Sequence, residues 1–569
     1  MNANLNRWVQ VALVGAILLL VNLLGQQFHF RVDLTREGRY SLSPLTERML
    51  DTLRHPLSVK VYLGGEDVSP EVARFRESVR TFLEELRVQA TEPLDYTFED
   101  PGGNTDLQQQ LARNGVPPIQ EIQANNNTST SMRLVFPAAV VNYNGRTEYI
   151  DLLKGERYSF NGKPNYLFAE QQLEYKFASA LNRLLDPKRK VVGFLQGHRE
   201  IPPLQVREWL EDLRKFYDLT PVYTYDGKAI PPPKSTLPAE VASQIKGEGV
   251  EVLIALAPDS AFTEREKYEI DQFVMRGGRL LILLDQQQLD RQSLVEKGKT
   301  LTTLRNLNLD DQFAKWGFRV NYNLIQDIAC DKLYLVSGRD EQGRPRFEAL
   351  PWVYYPRLMV FPQHPITQNL DAVMLRYAAT IDTLALPGLR FTPLLRTSPN
   401  TRMLTGNVLI DLETFFRNPP PPEAFDKGSQ TAGLLVEGPL QSAFVGRKAP
   451  TDDRAPEPPS TRFTPRTVRD ARIIVLADGD IPLSHRMPYR EAAIPYDNKT
   501  LLMNCVDYLA GDQAMNEIRA KDVRLRKLNL AVVDRLGSRL QALNVLLPVL
   551  LVLLGGALRF AWRRRRYGR

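Results

Sequence analysis

Four stretches of this chain are carried by unbroken apolar residues: KVVGFLQG (190–197), VEVLIALAP (250–258), RLLILLD (279–285) and ARIIVLADGDI (471–481). A strand with one face in water alternates apolar and polar residues. A strand that does not alternate needs cover on both faces, the situation of a buried parallel sheet. The residues between these runs supply the cover. In PLQVREWLEDLRKFYDL the positions Val206, Trp209, Leu210, Leu213 and Phe216 share one helical face. EREKYEIDQFVMR opens on a Thr263-x-x-Glu266 capping box and stops at Gly277-Gly278. TPVYTYD reads as a further strand, and NKTLLMNCVDYLAGD (498–512) as a helix that rejoins the sheet. The β-α-β rhythm predicts an α/β fold with an open, mostly parallel, doubly wound sheet.

Two apolar segments bracket this domain. Residues 8–25 (WVQVALVGAILLLVNLLG) carry no charge, and residues 540–562 (LQALNVLLPVLLVLLGGALRFAW) run into RRRRYGR. Both reach the length of a spanning helix, and a membrane helix tolerates Pro548. LLGQQFHF offers no small-x-small cleavage site, so the first segment is expected to remain as an anchor. The formal charge of +7 lies entirely beside these segments, on Arg7, Arg559, Arg563, Arg564, Arg565, Arg566 and Arg569. The interior holds 66 basic and 66 acidic residues. That is a membrane-topology pattern and gives no reason to expect nucleic acid. The arginine cluster places the C-terminus in the cytoplasm. Two spans then put both termini there and the large region between them in the periplasm of a bacterial inner membrane. Gly555 and Gly556 would let a neighbouring helix approach closely.

The expected organisation follows. Residues 1–30 form the cytoplasmic N-terminus and first span. Residues 31–164 form a small periplasmic α/β domain, whose first helix is capped by Ser43-Pro44 and whose second is capped by Ser69-Pro70. RLVFPAAVVNY and RTEYIDLL make a hairpin about Asn144-Gly145. NNNTSTS (125–131) is a polar loop within this domain. Asp33, Thr35, Arg36, Arg39, Tyr40 and Ser43 are the candidate residues of a specified junction, a partner interface close to the membrane. Residues 165–187 are a bridging helix and 188–416 the central domain. Residues 417–470, with NPPPPE and APTDDRAPEPPSTRFTP, read as an exposed, partly disordered Pro-rich insertion. Residues 471–515 return to the central domain, 516–540 are a juxtamembrane stalk, and 541–569 are the second span with its basic tail.

Open parallel sheets bind ligands beyond the C-terminal ends of their strands. Three loops there carry candidate ligand-binding residues: Gly197, His198 and Glu200 in QGHRE; Asp285; and Asp478 and Asp480 in ADGD. A His beside carboxylates could do acid–base work or hold a metal. The plainer reading, preferred here, has Gly197 permitting a tight turn while His198 and Glu200 hydrogen-bond the loop. The sequence has no GxGxxG after the first strand, no GxxxxGK[ST] and no GxSxG. Cys330 and Cys505 offer neither a CxxC nor a metal-ligand spacing, and a disulfide between them has no support. No catalytic residue, metal or cofactor is expected.

The order of segments resembles the GldG family, auxiliary components of ABC transport systems linked to bacterial gliding motility. The resemblance rests on DLTREGRYSLSPLTERMLDTL after the first apolar segment, FLQGHRE, HPIT (364–367), GGRLLILLD, VLADGD, NKTLLMNCVDYLAGD and LPVLLVLLGGALRFAWRRRR. Arg199 stands where that family carries Gly. The resemblance implies a non-enzymatic partner of a multi-span ABC permease and a separate P-loop ATPase, contacting a periplasmic or envelope protein or glycan. It also implies an amidotransferase-like (GIFT-type) central domain without a catalytic triad. Two other readings remain open: a periplasmic hydrolase or transferase using the His198/Glu200 loop, and a carbohydrate- or lipid-binding scaffold with no transporter.

Overall fold

The computed structural model describes residues 42–511 apart from short stretches, the longest being 154–165, 238–246 and 484–495. It also describes 554–566, apart from 558 and 563. The first group belongs to one compact unit and the second to another. The first expected span, most of the second, the stalk 516–540, and Asp33, Thr35, Arg36, Arg39 and Tyr40 lie outside the described residues. Among the described residues no helix is long and apolar enough to cross a membrane. Gly555 and Gly556 lie in exposed helical turns, and an added Cβ at either would meet nothing within 4 Å.

The N-terminal domain begins where Ser43 caps helix α1 (Pro44–Asp51), its Oγ accepting the amide of Thr46. Strand β1 (Leu57–Val61) alternates buried and exposed residues, as one solvated face requires. Ser69 caps α2 (Pro70–Gln89), which buries Val72, Phe75, Val79, Leu83 and Leu86, a stripe of helical period. Strand β2 (Leu94–Phe98) runs parallel to β1. After α3 (Thr105–Arg113) a two-stranded ribbon, β3 (Ile119–Asn125) and β4 (Ser129–Val135), takes in part of the stretch expected as a loop. Alternating Ser and Thr suit a strand as well as a turn. Strands β5 (Ala138–Tyr143) and β6 (Arg146–Asp151) form the expected hairpin. Its turn residues Asn144 and Gly145 have φ of 46° and 75°, the left-handed pair a two-residue turn demands. The sheet order is β2-β1-β5-β6. The expected bridging helix is two helices, α4 (Tyr166–Gln171) and α5 (Leu173–Leu185). Leu173, Phe177, Leu181 and Leu184 bury into the same core as α2, so α5 is part of this domain.

The central sheet has seven strands among the described residues. In chain order they are β7 (Val191–Gln196), β8 (Asp218–Tyr223), β9 (Val250–Leu256) and β10 (Arg279–Leu283), then β13 (Arg390–Arg396), β14 (Thr431–Gly438) and β15 (Ala471–Leu476). Between β10 and β13 a long hairpin, β11 (Cys330–Arg339) and β12 (Pro345–Leu358), leaves the sheet. The spatial order is β13-β14-β15-β10-β9-β7-β8. Strands β8, β7, β9, β10 and β15 are mutually parallel, and β14 and β13 close one edge antiparallel. Alternate residues of the apolar runs face opposite ways. Val192, Val252, Ile254, Leu281 and Leu283 meet α6 (Arg207–Leu213) and α9 (Asn498–Ala510). Leu253, Ala255, Leu280 and Ile282 meet α7 (Glu264–Met275) and α8 (Asp310–Lys315). Each such buried Val, Leu or Ile side chain contributes about 1.5–3 kcal/mol.

The segment 417–470 is not exposed throughout. Its residues 431–438 are β14, every residue of which but the first is buried, between β13 and β15. The stretch that follows, 440–467, crosses α7 as a strap. Arg265 Nη1 donates to the carbonyls of Pro450 (3.2 Å) and Glu457 (3.0 Å), and Arg276 Nη2 to that of Arg462 (3.0 Å). Asp271 accepts from Ser442 Oγ (2.6 Å) and the Ala443 amide (2.9 Å). Polar side chains of α7 thus anchor this Pro-rich chain, mostly through its backbone.

Candidate functional site

The parallel strands all end on one side, and the loops following β7, β9, β10 and β15 gather there. The chain adds β8 to one flank of β7 and β9 to the other, so the crevice typical of such sheets falls between the ends of β7 and β9. Here the loops fill it. The Ile201 amide donates to Leu256 O (3.2 Å) and the Asp259 amide to His198 O (2.7 Å).

His198 is 2% exposed and stacks on Phe262, ring centroids 3.9 Å apart. Its Nε2 lies 3.2 Å from Glu266 Oε2 and its Nδ1 3.5 Å from Glu200 Oε1. The second distance is long for a hydrogen bond, so Glu266 has the firmer hold. Burial opposes charge on the ring, but the two carboxylates outweigh it and raise the pKa to about 9. Glu200 Oε2 also accepts the amides of Gly197 (3.1 Å) and His198 (3.0 Å), which folds the loop into a tight turn. Glu266 doubles as the third residue of the α7 capping box, accepting the Thr263 amide at 2.8 Å. Burial works against ionisation of Glu266, but His198 and Thr263 hold its pKa below the ordinary value. Both imidazole nitrogens face carboxylates of the protein, and neither faces an open cleft. Arg199 adopts φ 54° with its side chain exposed.

A second group forms around β10 and β15. Asp285 Oδ1 accepts the Gly479 amide (2.7 Å). Asp478 accepts the amides of Asp480 (2.7 Å) and Arg376 (2.6 Å). Asp480 pairs with Arg291. Burial pushes the carboxyls of Asp285 and Asp478 up, and the charge of Asp285 raises Asp478 further. Gly479 is required by close approach: a Cβ there would lie 2.5 Å from that of Ala257 and 2.6 Å from Asp285 Oδ2. Arg376 lies over the ring of Tyr355 (5.2 Å) and Arg291 over that of Tyr377 (5.8 Å).

The candidates from sequence are thus brought together as two groups, His198 with Glu200 and Asp285 with Asp478 and Asp480. Arg305 joins them, 3.0 Å from Asp259 and 3.7 Å from Asp285. Sequence reasoning missed Asp259, Arg291, Arg305 and Arg376, and saw Glu266 only as a cap. Asp259 follows β9 directly and the strand-end rule reaches it; the arginines arrive from distant loops without a local signal. Among the described residues no set of His, Cys, Asp and Glu could hold a metal. Cys330 and Cys505 are free, and burial raises both thiols above their ordinary range, away from nucleophilic character. Of the candidate interface residues, Ser43 donates its amide to Glu174 Oε1 at 2.6 Å.

A family model described as an ABC-type uncharacterized transport system matches residues 189–505, from the start of the central sheet into α9. This chain belongs to that family. Membership in the ABC-transport auxiliary family supports an auxiliary role in an ABC transport system. The match runs through β14 and the strap. A second model, a domain of unknown function (DUF7088), matches 36–142 in the N-terminal domain. No curated protein matches the chain. Two solved structures are similar at low scores. The mmIFT52 N-terminal domain is 10% identical with a TM-score of 0.28, over 56% of this chain and 97% of its own. The exo-beta-1,4-mannosidase Op5Man5 from Opitutaceae bacterium strain TAV5 is 9% identical with a TM-score of 0.20, over 79% of this chain and 50% of its own. At such scores neither likeness assigns a fold or an activity to the ABC-transport auxiliary chain.

Proposed function

We propose that this chain is a membrane-anchored auxiliary subunit of an ABC transporter complex of the gliding-motility (GldG) or envelope-associated type. Two terminal spans hold it in a bacterial inner membrane, both termini are cytoplasmic, and the α/β domains lie in the periplasm. There they contact substrate or an envelope protein or glycan, while a multi-span permease and a separate P-loop ATPase do the transport work. The chain catalyses nothing itself, and its central domain is of the amidotransferase-like (GIFT-type) class without a triad. The observation that carries this reading is the family match over 189–505, the whole of the central sheet. The burial of His198 supports it: Glu266 holds its Nε2 and Glu200 lies against its Nδ1, which suits a structural latch better than the base of a hydrolase. The loop candidates Gly197, His198, Glu200, Asp285, Asp478 and Asp480 then shape a contact surface.

The test is purification of the full chain from its own membranes in mild detergent, with identification of what accompanies it. A permease and an ATPase are expected in the same complex, from wild type and from His198→Gln alike. A chain that comes away alone, or with a glycan only, would sink the transporter reading and favour a binding scaffold.

A further inference from the structure

Three arginines stand among the carboxylates at the ends of β10 and β15, and two of them have a carboxylate partner. Arg291, at the start of the short helix Arg291–Lys297, pairs with Asp480. Arg305 lies 3.0 Å from Asp259 and 3.7 Å from Asp285. The third, Arg376, is placed by its backbone. The amides on either side of it, of Leu375 and Tyr377, donate to the carbonyls of Pro356 and Tyr354 at 2.9 Å, which lays the segment along β12. Its own amide points the other way and donates to Asp478 Oδ2 (2.6 Å). Its guanidinium forms no hydrogen bond or ion pair among the described residues, and its Nε is buried without an acceptor. The group lies over the ring of Tyr355, 5.2 Å from the centroid. A ring face attracts a cation but offers no lone pair to the N–H edge of a guanidinium.

Asp478 does not supply the missing charge. Both its oxygens are taken by amides, Oδ1 by Asp480 (2.7 Å) and Oδ2 by Arg376, and burial and the charge of Asp285 push this carboxyl towards its neutral form. Burial, and then the like charge of Arg291, hold the Arg376 pKa below its ordinary value, yet a guanidinium stays charged. A buried cation costs free energy until an anion completes it. Arg376 is half-buried and not sealed, so part of it faces solvent. Tyr377, beside it, is held at φ 52°, left-handed backbone that a tyrosine rarely adopts, and strain of that kind gathers at binding sites. The Tyr377 ring lies under Arg291 (5.8 Å) and against that of Tyr355, centroids 5.4 Å apart at 84°. Two guanidiniums thus sit over two adjoining tyrosine rings, and one of the two has no carboxylate. We propose that Arg376, with Arg291 beside it, binds an oxyanion, a carboxylate or phosphate carried by a small ligand, over the rings of Tyr355 and Tyr377. A guanidinium fork holds two oxygens of either group at once, and the rings offer an apolar floor to the body of the ligand. The site lies beyond the C-terminal ends of parallel strands, the usual ligand side of such a sheet. It gives the contact surface proposed above a chemical preference, but it stands on these side chains alone.

The full chain in mild detergent is treated with phenylglyoxal, an arginine-selective reagent, at constant ionic strength, and modification of each arginine is followed by peptide mass spectrometry. Inorganic phosphate and glucuronate are the two probes. Either is expected to slow modification of Arg376 roughly ten-fold once its free concentration is about ten times its dissociation constant. The exposed Arg87 of the N-terminal domain is expected to react at an unchanged rate. Slowing by phosphate alone assigns a phosphate-bearing ligand, and slowing by glucuronate alone a carboxylate. An Arg376 that never reacts, or reacts at one rate with and without both probes, overturns the site. Arg376→Met separates binding from structure. It removes a buried charge and keeps a long side chain, so its unfolding midpoint without added anion is expected to equal or exceed that of wild type. The effective probe should then raise the wild-type midpoint and leave that of the variant unmoved. A variant midpoint well below wild type, with an undiminished response to the probes, would make Arg376 a structural cation and overturn the proposal. Purification tests the other reading separately: a chain without permease or ATPase sinks the transporter reading and leaves the protection result standing.

Discussion

At the scale of single residues the clearest consequences concern charge and space around the strand-end loops. The His198 pKa is raised from 6.5 to about 9, so the charged ring stabilises the fold most fully below about pH 6.5. That contribution, up to about 3 kcal/mol, is lost as pH rises through about 9. The unfolding midpoint of the wild type is therefore expected to fall between pH 6.5 and 9.5, and that of His198→Gln to stay flat. A wild-type midpoint unchanged over that window would contradict the ion pairs. Gly479→Ala forces a methyl against Ala257 and Asp285 and is expected to cost about 1–3 kcal/mol, read in a denaturant titration. Arg199→Gly relieves left-handed backbone and is expected to gain roughly 0.5–1 kcal/mol after the extra freedom of the unfolded glycine is subtracted. At this scale the sequence showed which loops hold charged residues, since strand ends follow from the apolar runs. It did not show that His198 would be closed in by Glu266, because that residue already had a complete local role as a cap.

At the scale of elements, the strands that were legible are those whose apolar run is unbroken and whose flanks end cleanly: β7, β9, β10 and β15. Strand β14 has the same character in AGLLVEG, but prolines stand before and after it, and their weight in composition hid eight ordered residues. The helix α7 was legible from its capping box, yet its burial was not. EREKYEIDQ reads as a solvated face, and 11 of the 12 residues of the helix are buried. The reason is the strap, whose backbone carbonyls and amides replace water around Arg265, Asp271, Gln272 and Arg276. Asp271→Ala removes the acceptor of Ser442 and of the Ala443 amide and is expected to cost about 2–4 kcal/mol. Limited proteolysis within 447–467 should then quicken relative to cleavage elsewhere, and equal rates would show that the strap is held by other contacts.

At the scale of the molecule, the N-terminal domain and the central sheet were separable in the sequence because their periodicities differ, alternating in β1 and unbroken in β7 and β9. The assignment of α5 was not separable, since a helix between two cores shows the same apolar stripe whichever core receives it. The strap has a last consequence, for synthesis. Asp271 and Ser442 are 171 residues apart, and Arg265 and Glu457 192. At ribosomal speeds of roughly 5–20 residues per second, α7 has left the ribosome about ten to forty seconds before its cover exists. An apolar helix would spend that interval as a sticky surface. A helix of alternating charge spends it hydrated, and gives up its water only when the strap arrives with matching peptide groups. The polarity that misrepresents the finished protein suits the unfinished one.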